Sequence, residues 1–253
     1  MIKYLSLFSG IGAFEKALEN LDIDYDLIAY CEIEKVVSKA YSLLHNESES
    51  KNLWDITQVN EKELPANIDL ITYGFPCQDI SQAGLKQGFR DVDGNKTRSG
   101  LFFDALRIIE HCQPKVAVAE NVKNLTSKSM HDTFDTVLKS LETAGYNSYW
   151  KLLNATDYSI PQSRERVFIV SVRKDIDKGT FKFPESMPLT LCMNDLLEDD
   201  SSIDTSFFLS EKKTKNVLRH NAKHSGHVAD RGGICTTLLA RDNCDPKVVQ
   251  VWK

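Results

Sequence analysis

Residues 4–14 read Tyr-Leu-Ser-Leu-Phe-Ser-Gly-Ile-Gly-Ala-Phe, an apolar run that passes through two glycines into a helical pattern. The run predicts a buried strand over residues 4–8, and the pattern after it predicts a helix. Gly10 and Gly12 let a ligand approach the backbone closely, beside the unpaired N–H groups of a helix N-terminus. The stretch therefore predicts the first strand and helix of an α/β sheet, with a ligand-binding turn between them.

The alternation of strand and helix continues along the chain. The clearest helical pattern covers residues 130–144, with Gly145 as its terminating residue. Strands that alternate with helices indicate an α/β fold with a doubly wound, mostly parallel sheet, which binds ligands at the carboxyl ends of its strands. Further apolar runs predict strands over residues 27–31, 70–73, 116–119 and 166–172.

The regular pattern ends near residue 172 and is followed by irregular sequence. We therefore predict a catalytic domain at residues 1–172 and a small, irregular region at residues 173–253. The 253 residues contain no apolar stretch near the roughly 18 residues that a membrane span needs, and no secretory signal precedes the first strand. We expect a cytoplasmic protein without a membrane partner.

The cysteines and the charge exclude some further classes of protein. The six cysteines form no Cys-x-x-Cys pair and no cluster with zinc-ligand spacing, so we expect reduced thiols and no metal. The net charge of −5 gives no global attraction to nucleic acid. Eight Lys and Arg residues between Lys212 and Lys247 form a local basic patch, which is either a nucleic-acid surface or an ordinary solvated one.

One cysteine is placed differently from the rest. Cys77 stands in Gly74-Phe75-Pro76-Cys77-Gln78, directly after the predicted strand 70–73. A thiol held in a fixed loop at the end of a buried strand can meet a substrate, whereas most free cysteines pack as small apolar side chains. Both interpretations of Cys77 stay open on this segment alone.

Two carboxylates point to a nucleoside. Glu32 ends the second predicted strand 20 residues after Gly12, where it can accept hydrogen bonds from ribose hydroxyls. The turn lacks the third glycine of the dinucleotide fingerprint, which argues against a pyrophosphate-bearing cofactor and for a plain adenosine. Asp55, in Trp54-Asp55-Ile56, can accept from an adenine amino group, although a surface Asp is the default interpretation.

Four motifs then occur in an order and spacing that resemble the DNA cytosine-5 methyltransferase family. They are Phe8-Ser9-Gly10-Ile11-Gly12, Gly74-Phe75-Pro76-Cys77-Gln78, Glu120-Asn121-Val122 and Gln162-Ser163-Arg164-Glu165-Arg166-Val167. The resemblance covers roughly residues 4–172. It implies a Rossmann-like fold that uses S-adenosylmethionine to methylate carbon 5 of a flipped-out cytosine in double-stranded DNA.

The resemblance also implies catalytic roles. Cys77 is similar to the family's nucleophile, which adds to carbon 6 of cytosine and makes carbon 5 electron-rich. Glu120 matches the glutamate that acts at nitrogen 3 of the ring. Arg164 is expected to contact the target base or its phosphate, and Arg166 to brace the site, although structural roles for both arginines stay open.

Further residues follow from the resemblance. Arg98-Ser99-Gly100-Leu101-Phe102 resembles the lining of the cofactor pocket, and Ser81-Gln82-Ala83-Gly84 resembles the loop that closes over the flipped base, although a helix N-terminus and a plain turn stay open for the two runs. The glycine-containing loop over residues 78–94 is the candidate for that closure. The segment 231–238 resembles the part that organises the target-recognition region. The expected cofactor contacts are Phe8, Gly10, Gly12, Glu32, Ile33, Asp55, Ile56, Pro76 and Leu101. The expected DNA contacts are Gln78, Ser81, Gln82, Lys86, Arg90, Gln162, Arg231 and Thr236.

The chain departs from the family in one respect. Most members return from the recognition region to the catalytic domain with a helix and a Gly-Asn segment, and no match to that element exists in this sequence. Either the chain is truncated, or a second polypeptide supplies the element, or the protein has lost activity, so we expect weak or no activity from this chain alone. The alternatives are a noncatalytic or partner-dependent DNA-binding remnant of the family, or a tRNA cytosine-5 methyltransferase.

Overall fold

The chain forms its main sheet early, and helices follow most of the strands. The structure is a computed structural model that describes residues 1–76, 98–199, 201–204, 208–210, 212–216, 228–230, 232–236 and 248–250. The helices are α1 (Ala13–Asn20), α2 (Lys35–His45), α3 (Phe102–Cys112) and α4 (His131–Thr143). The strands are β1 (Ile2–Leu7), β2 (Tyr25–Cys31), β3 (Leu70–Tyr73), β4 (Val116–Val122), β5 (Tyr146–Asn154), β6 (Gln162–Ser163), β7 (Glu165–Arg173), β8 (Val228–Asp230), β9 (Cys235–Thr236) and β10 (Val248–Gln250).

Within the described residues, six strands form one sheet in the order β2-β1-β3-β4-β7-β5. β1 pairs in parallel with β2 and with β3, and β3 pairs in parallel with β4. β7 runs antiparallel to β4. The chain passes from β1 outward to β2 and returns to β3 on the other side of β1, so the strand order reverses between β1 and β3. The prediction of an α/β fold with a doubly wound, mostly parallel sheet is confirmed.

Helices cover both faces of the sheet. Neighbouring residues of a strand point to opposite faces, so β1 contributes side chains to two separate apolar clusters. Tyr4 of β1 packs in a cluster with Tyr41 of α2 and with Phe14 of α1. Leu5 and Leu7 belong to the larger cluster, which holds the buried side chains of α3 and α4. Burying one such apolar side chain stabilises the fold by roughly 1.5–3 kcal/mol. The two helix pairs thus fix the strands whose ends carry the site.

The predicted strands and the predicted helix are present in the structure, which also contains β5 and the short strands β6, β8, β9 and β10 that the sequence analysis did not predict. The five predicted strands correspond to β1, β2, β3, β4 and β7, and the helix predicted over residues 130–144 is α4. Gly145 has a φ of 98°, and its N–H donates to the carbonyl of Glu142 at 3.1 Å, as expected of a glycine that ends a helix. The sequence analysis missed β5, where polar residues interrupt the apolar ones.

The chain divides into two compact units. The first comprises Met1–Leu152 and Arg166–Phe183, and the second comprises Leu153–Glu165 and Pro184–Lys253. In the second unit, β6 pairs in parallel with β9, and β10 pairs in parallel with β8. The boundary that we predict at residue 172 stays a prediction.

Three general properties concern the described part of the chain. None of its helices has the length and the apolar character that crossing a bilayer requires. No group of three or more His, Cys, Asp or Glu side chains there is arranged to hold a metal ion. Its cysteines, Cys31, Cys112, Cys192 and Cys235, are free thiols.

Candidate active site at the carboxyl edge of the sheet

The carboxyl ends of β1, β2, β3 and β4 bring several of the predicted site residues to one edge of the sheet. Ligands of open α/β sheets bind at this edge, where the strand order reverses. The glycine turn follows β1, and the loop that leads to Cys77 follows β3, so the two segments start from neighbouring strands. Glu32 follows β2, and Glu120 lies near the end of β4.

The glycine turn has a left-handed backbone at three positions. Phe8 has a φ of 54°, Gly10 of 57° and Gly12 of 85°. Glycine adopts such angles without steric cost, whereas Phe8 adopts them against its preference. The N–H of Gly10 donates to Oε2 of Glu32 at 3.0 Å, which ties the turn to the end of β2.

Glu32 is held in place by backbone donors on both sides. Its Oε1 accepts from the N–H of Glu34 at 2.8 Å, and its own N–H donates to Oδ1 of Asn52 at 3.1 Å. The Asn52 amide also donates to the Glu32 carbonyl and to Oγ of Ser38, each at 2.9 Å. The sequence analysis missed Asn52, because an asparagine in a loop shows no pattern until its distant partners are known.

The loop around Asp55 lies beside this acid. Oδ1 of Asp55 accepts from the N–H and the hydroxyl of Thr57, both at 2.9 Å, and no hydrogen bond to Oδ2 is found among the described residues. Trp54 precedes it with a φ of 61°, which is unusual for a large side chain. Arg107 of α3 holds the loop in place, because its guanidinium donates to the Ile56 carbonyl at 2.6 Å.

The remaining predicted cofactor residues differ in exposure. The Ile56 side chain is buried in the core, so a ligand contact from this residue has to use the backbone. Ile33 is exposed. Phe8 and Leu101 are partly buried and pack against the core, and Pro76 is also partly buried. The carboxylates of Glu32 and Asp55 offer the acceptors that ribose hydroxyls and an adenine amino group require, so the residues present fit an adenosine.

A buried asparagine holds the start of the loop that leads to the thiol. Asn121 is only 4% exposed, and its Nδ2 donates to the carbonyl of Phe75 at 3.0 Å. The ring of Phe75 is buried between Tyr73 and Phe102, with centroid distances of 6.2 and 5.3 Å. The backbone of residues 74–76 is thus fixed up to the residue before Cys77.

Glu120 and Arg166 form an ion pair at the same edge. Nε of Arg166 lies 2.9 Å from Oε1 of Glu120, and both side chains are partly buried. The antiparallel register of β4 and β7 sets the pair, because Glu120 lies opposite Phe168 and Val122 lies opposite Arg166. Oε2 of Glu120 lies 3.9 Å from the position that a Cβ would take at Gly74. The carboxylate therefore lies beside the loop that leads to Cys77.

Two other thiols of the described residues are unsuited to nucleophilic chemistry. Burial raises the pKa of Cys31 to about 12 and that of Cys112 to about 11. The thiolate is the reactive form of cysteine, so both thiols stay protonated at neutral pH.

The first four residues of the motif at 162–167 lie in the second unit, whereas Arg166 and Val167 belong to the first. The N–H of Arg164 donates to Oδ1 of Asn154 at 3.0 Å, and its carbonyl accepts from the N–H of Ala155 at 3.0 Å. Gln162 pairs with Cys235, and Ser163 pairs with Thr236. The backbone of the predicted DNA contacts Gln162 and Thr236 is therefore brought together in adjacent strands.

Several predicted residues lie outside the described part of the chain. Much of the basic patch between 212 and 247 lies outside it as well. The structure therefore leaves their predicted roles as predictions. These site residues are Cys77, Gln78, Ser81, Gln82, Lys86, Arg90 and Arg231.

This arrangement of sheet, glycine turn and carboxylates defines a Rossmann-like methyltransferase fold. The family model of the C-5 cytosine-specific DNA methylase matches residues 2–245. The chain belongs to this family, as the resemblance predicted. The family uses S-adenosylmethionine as its methyl donor, which agrees with the predicted cofactor.

Individual relatives come from bacteria and bacteriophages. The chain is 44% identical to the type II methyltransferase M2.ScrFI of Lactococcus lactis subsp. cremoris, over 66% of this chain and 44% of the relative. It is 37% identical to the type II methyltransferase M.HhaI of Haemophilus parahaemolyticus, over 80% of this chain and 59% of the relative. The orphan methyltransferase M.Rho11sI of Bacillus phage rho11s is 33% identical, over 95% and 58%. The chain spans about half the length of these relatives.

Solved structures share the fold at low identity. The S. pombe Dnmt2 methyltransferase superposes with a TM-score of 0.69 at 20% identity, over 100% of this chain and 77% of that chain. The Entamoeba histolytica methyltransferase EhMeth gives 0.71 at 16% identity, over 98% and 73%. These similarities establish the fold alone.

Proposed function

We propose that the protein methylates carbon 5 of cytosine in double-stranded DNA, with Cys77 as the nucleophile and S-adenosylmethionine as the methyl donor. Its family membership supports this proposal. The observation that carries it is the ion pair of Glu120 and Arg166. This pair lies beside Gly74, which precedes Cys77 by three positions in the sequence. The activity takes place on DNA in the cytoplasm of a bacterium or of a phage-infected cell.

The turn after β1 holds the adenosine. Glu32 accepts from the ribose hydroxyls and Oδ2 of Asp55 accepts from the adenine amino group, while the backbone of Gly10 and Gly12 lies close to the ligand. Phe8, Ile33, Ile56, Pro76 and Leu101 complete the contacts. The bound S-adenosylmethionine supplies an electrophilic methyl group.

The chemistry of the base depends on residues beside the Gly74 loop. The Cys77 thiolate adds to carbon 6 of cytosine, so a carbon–sulfur bond forms and the electron pair of the double bond becomes available at carbon 5. Glu120 supports the negative charge of the ring at nitrogen 3, and Arg166 orients Glu120 through its hydrogen bond. Loss of the carbon-5 proton after methylation restores the double bond and releases the thiolate.

The substrate base has to leave the duplex before this chemistry starts. Unstacking and unpairing cost a few kcal/mol, which contacts to the pocket and to the opened DNA repay. We assign these contacts to Arg164, Gln162 and the backbone of the adjacent β9. The further DNA contacts that we propose are Gln78, Ser81, Gln82, Lys86, Arg90, Arg231 and Thr236.

The test is covalent trapping on duplex DNA that contains 5-fluorocytosine, in the presence of S-adenosylmethionine. Fluorine at carbon 5 cannot leave as a proton does, so the carbon–sulfur adduct persists and migrates as a heavier band under denaturing conditions. We expect the adduct with the wild-type chain and none with Cys77→Ser. Cys192→Ser, which changes another free thiol that is not fully buried, is the matched control and keeps the adduct.

The same assay separates the alternatives. A chain that binds DNA and S-adenosylmethionine but forms no adduct is a noncatalytic or partner-dependent remnant of the family. Transfer of a labelled methyl group to tRNA and not to DNA identifies a tRNA methyltransferase. The need for a second polypeptide stays a prediction, and full turnover by the purified chain contradicts it.

A further inference from the structure

A histidine lies against the glycine turn, although 33 residues separate the two in the sequence. His45 is the last residue of α2, and its side chain is only 3% exposed. A Cβ at Gly12 would lie 2.1 Å from Nε2 of this ring. The imidazole therefore fills the space that the missing side chain of Gly12 leaves.

Both ring nitrogens of His45 meet oxygen atoms that accept hydrogen bonds. Nε2 lies 3.0 Å from the carbonyl oxygen of Ile11, in the turn itself. Nδ1 lies 2.9 Å from Oε1 of Glu19, on α1. A carbonyl and a carboxylate accept but do not donate, so both nitrogens have to carry a hydrogen. The ring with two N–H groups is the charged imidazolium.

The state of Glu19 agrees with this assignment. The hydrogen bond from His45 and a second one from Lys16, at 3.0 Å, hold the pKa of the Glu19 carboxyl below its usual value. Glu19 is then a carboxylate at neutral pH and has no proton to give to the ring. The hydrogen between Glu19 and His45 therefore belongs to the ring.

We infer that His45 is a positioning residue of the cofactor turn, which as an imidazolium ties the Ile11 carbonyl to Glu19. This inference rests on the proposed function, because it takes the turn as the site of S-adenosylmethionine. The Ile11 carbonyl and the Gly12 N–H belong to one planar peptide, and the N–H donates to the Ser9 carbonyl at 3.0 Å. With both ends of this peptide fixed, the turn keeps the shape in which Gly10 reaches Glu32.

The tie depends on both N–H groups of the ring. A ring with a single N–H group would keep only one of the two hydrogen bonds and would release either the Ile11 carbonyl or Glu19. Among the described residues, Tyr41 of α2 lies against the ring with its centroid 4.8 Å away, and Lys16 of α1 binds the same Glu19. Burial raises the pKa of Tyr25 to about 12 and that of Tyr41 still further, so neither tyrosine ionises near neutral pH. Glu15 is fully buried and accepts from the hydroxyls of Tyr4 and Tyr41.

The first experiment examines the ring in the chain without cofactor. Long-range proton–nitrogen NMR of the ¹⁵N-labelled full chain distinguishes an imidazolium from the neutral tautomers, and His45→Gln assigns the resonances. We expect both nitrogens of the His45 ring to carry a hydrogen, because each one faces an acceptor oxygen. A His45 ring with one unprotonated nitrogen overturns the proposal.

The second experiment connects the ring to the cofactor turn. The dissociation constant of S-adenosylhomocysteine is measured by calorimetry for the wild-type chain and for His45→Gln. We expect His45→Gln to bind about fivefold more weakly, as for one lost charge-assisted hydrogen bond.

Two further variants make the result specific. In Glu19→Gln the amide keeps an oxygen that accepts from Nδ1 of His45, so the turn stays held and the affinity stays close to that of the wild type. His131→Gln changes an exposed histidine beside Asp135 and keeps the wild-type affinity. Undiminished binding by His45→Gln, or an equal loss in His131→Gln, contradicts the inference. An imidazolium in a wild-type chain that binds no S-adenosylhomocysteine contradicts the proposed function instead.

Discussion

The two segments that flank the strand reversal are held by opposite kinds of chemistry. The glycine turn after β1 is fixed by ionisable side chains, since Glu32 accepts from Gly10 and His45 contacts Ile11. The loop after β3 is fixed by a neutral amide and by packed rings, through Asn121 and Phe75. The comparison teaches that hydrogen bonds of charged side chains hold the turn after β1, whereas a neutral amide and aromatic packing hold the loop after β3.

The largest effect on the rate of methyl transfer is expected for Glu120, the carboxylate beside the loop after β3. Glu120→Gln keeps an oxygen for Arg166 but removes the carboxyl that acts at nitrogen 3. We expect methyl transfer to fall about 10²- to 10³-fold, the range of a lost acid–base group, while the affinity for S-adenosylhomocysteine stays unchanged. Single-turnover transfer of labelled methyl groups measures the loss. Glu142→Gln, which changes an exposed glutamate, is the control. An equal loss of methyl transfer in this variant would contradict a specific role of Glu120.

Removing the anchor of the thiol loop is expected to cost stability as well as rate. Asn121→Ala leaves the Phe75 carbonyl and the Val122 N–H without their partner in a buried site. We expect the free energy of unfolding to fall by about 2 kcal/mol, measured by urea denaturation, and adduct formation with 5-fluorocytosine DNA to slow. Asn147→Ala, which removes an exposed hydrogen bond to Asp177, should cost less than half as much. An equal fall in the free energy of unfolding for the two variants would contradict the role of Asn121 as the anchor of the loop after β3.

The smallest of these effects belongs to the cofactor side. Glu32→Gln leaves one oxygen to accept from Gly10, from Glu34 and from a ribose, where the carboxylate offers two. We expect about tenfold weaker binding of S-adenosylhomocysteine by calorimetry, with little change in the free energy of unfolding. Glu49→Gln, on an exposed turn, keeps the wild-type affinity. Undiminished affinity in Glu32→Gln would exclude this carboxylate as a ribose contact.

The sequence predicted the order of the elements better than their contacts. Apolar runs and the Gly145 terminator located β1 to β4, β7 and α4, because strand and helix periodicity are local properties. β5 escaped notice, since Asn147, Ser148 and Lys151 break its apolar pattern. The antiparallel direction of β7 leaves no trace in a periodicity, because a strand shows the same alternation in either direction.

The candidate site divides in the same way. Glu32, Glu120 and the two glycines could be predicted because they follow strands at fixed distances along the chain. Asn52 and His45 could not, because their roles depend on partners 14 to 34 residues away that only the folded chain brings near. The Arg166–Glu120 pair likewise arises from the register of two strands 46 residues apart.

The ring beneath Gly12 has one consequence for control of the protein from outside. His45→Gly would leave a space with the dimensions of a free imidazole molecule, lined by the same carbonyl and carboxylate oxygens. Imidazolium is small and soluble, and it carries both N–H groups that this space requires. The order of the glycine turn would then depend on the concentration of added imidazole. Position 45, the last residue of α2, would thus become a site at which a small molecule controls cofactor binding.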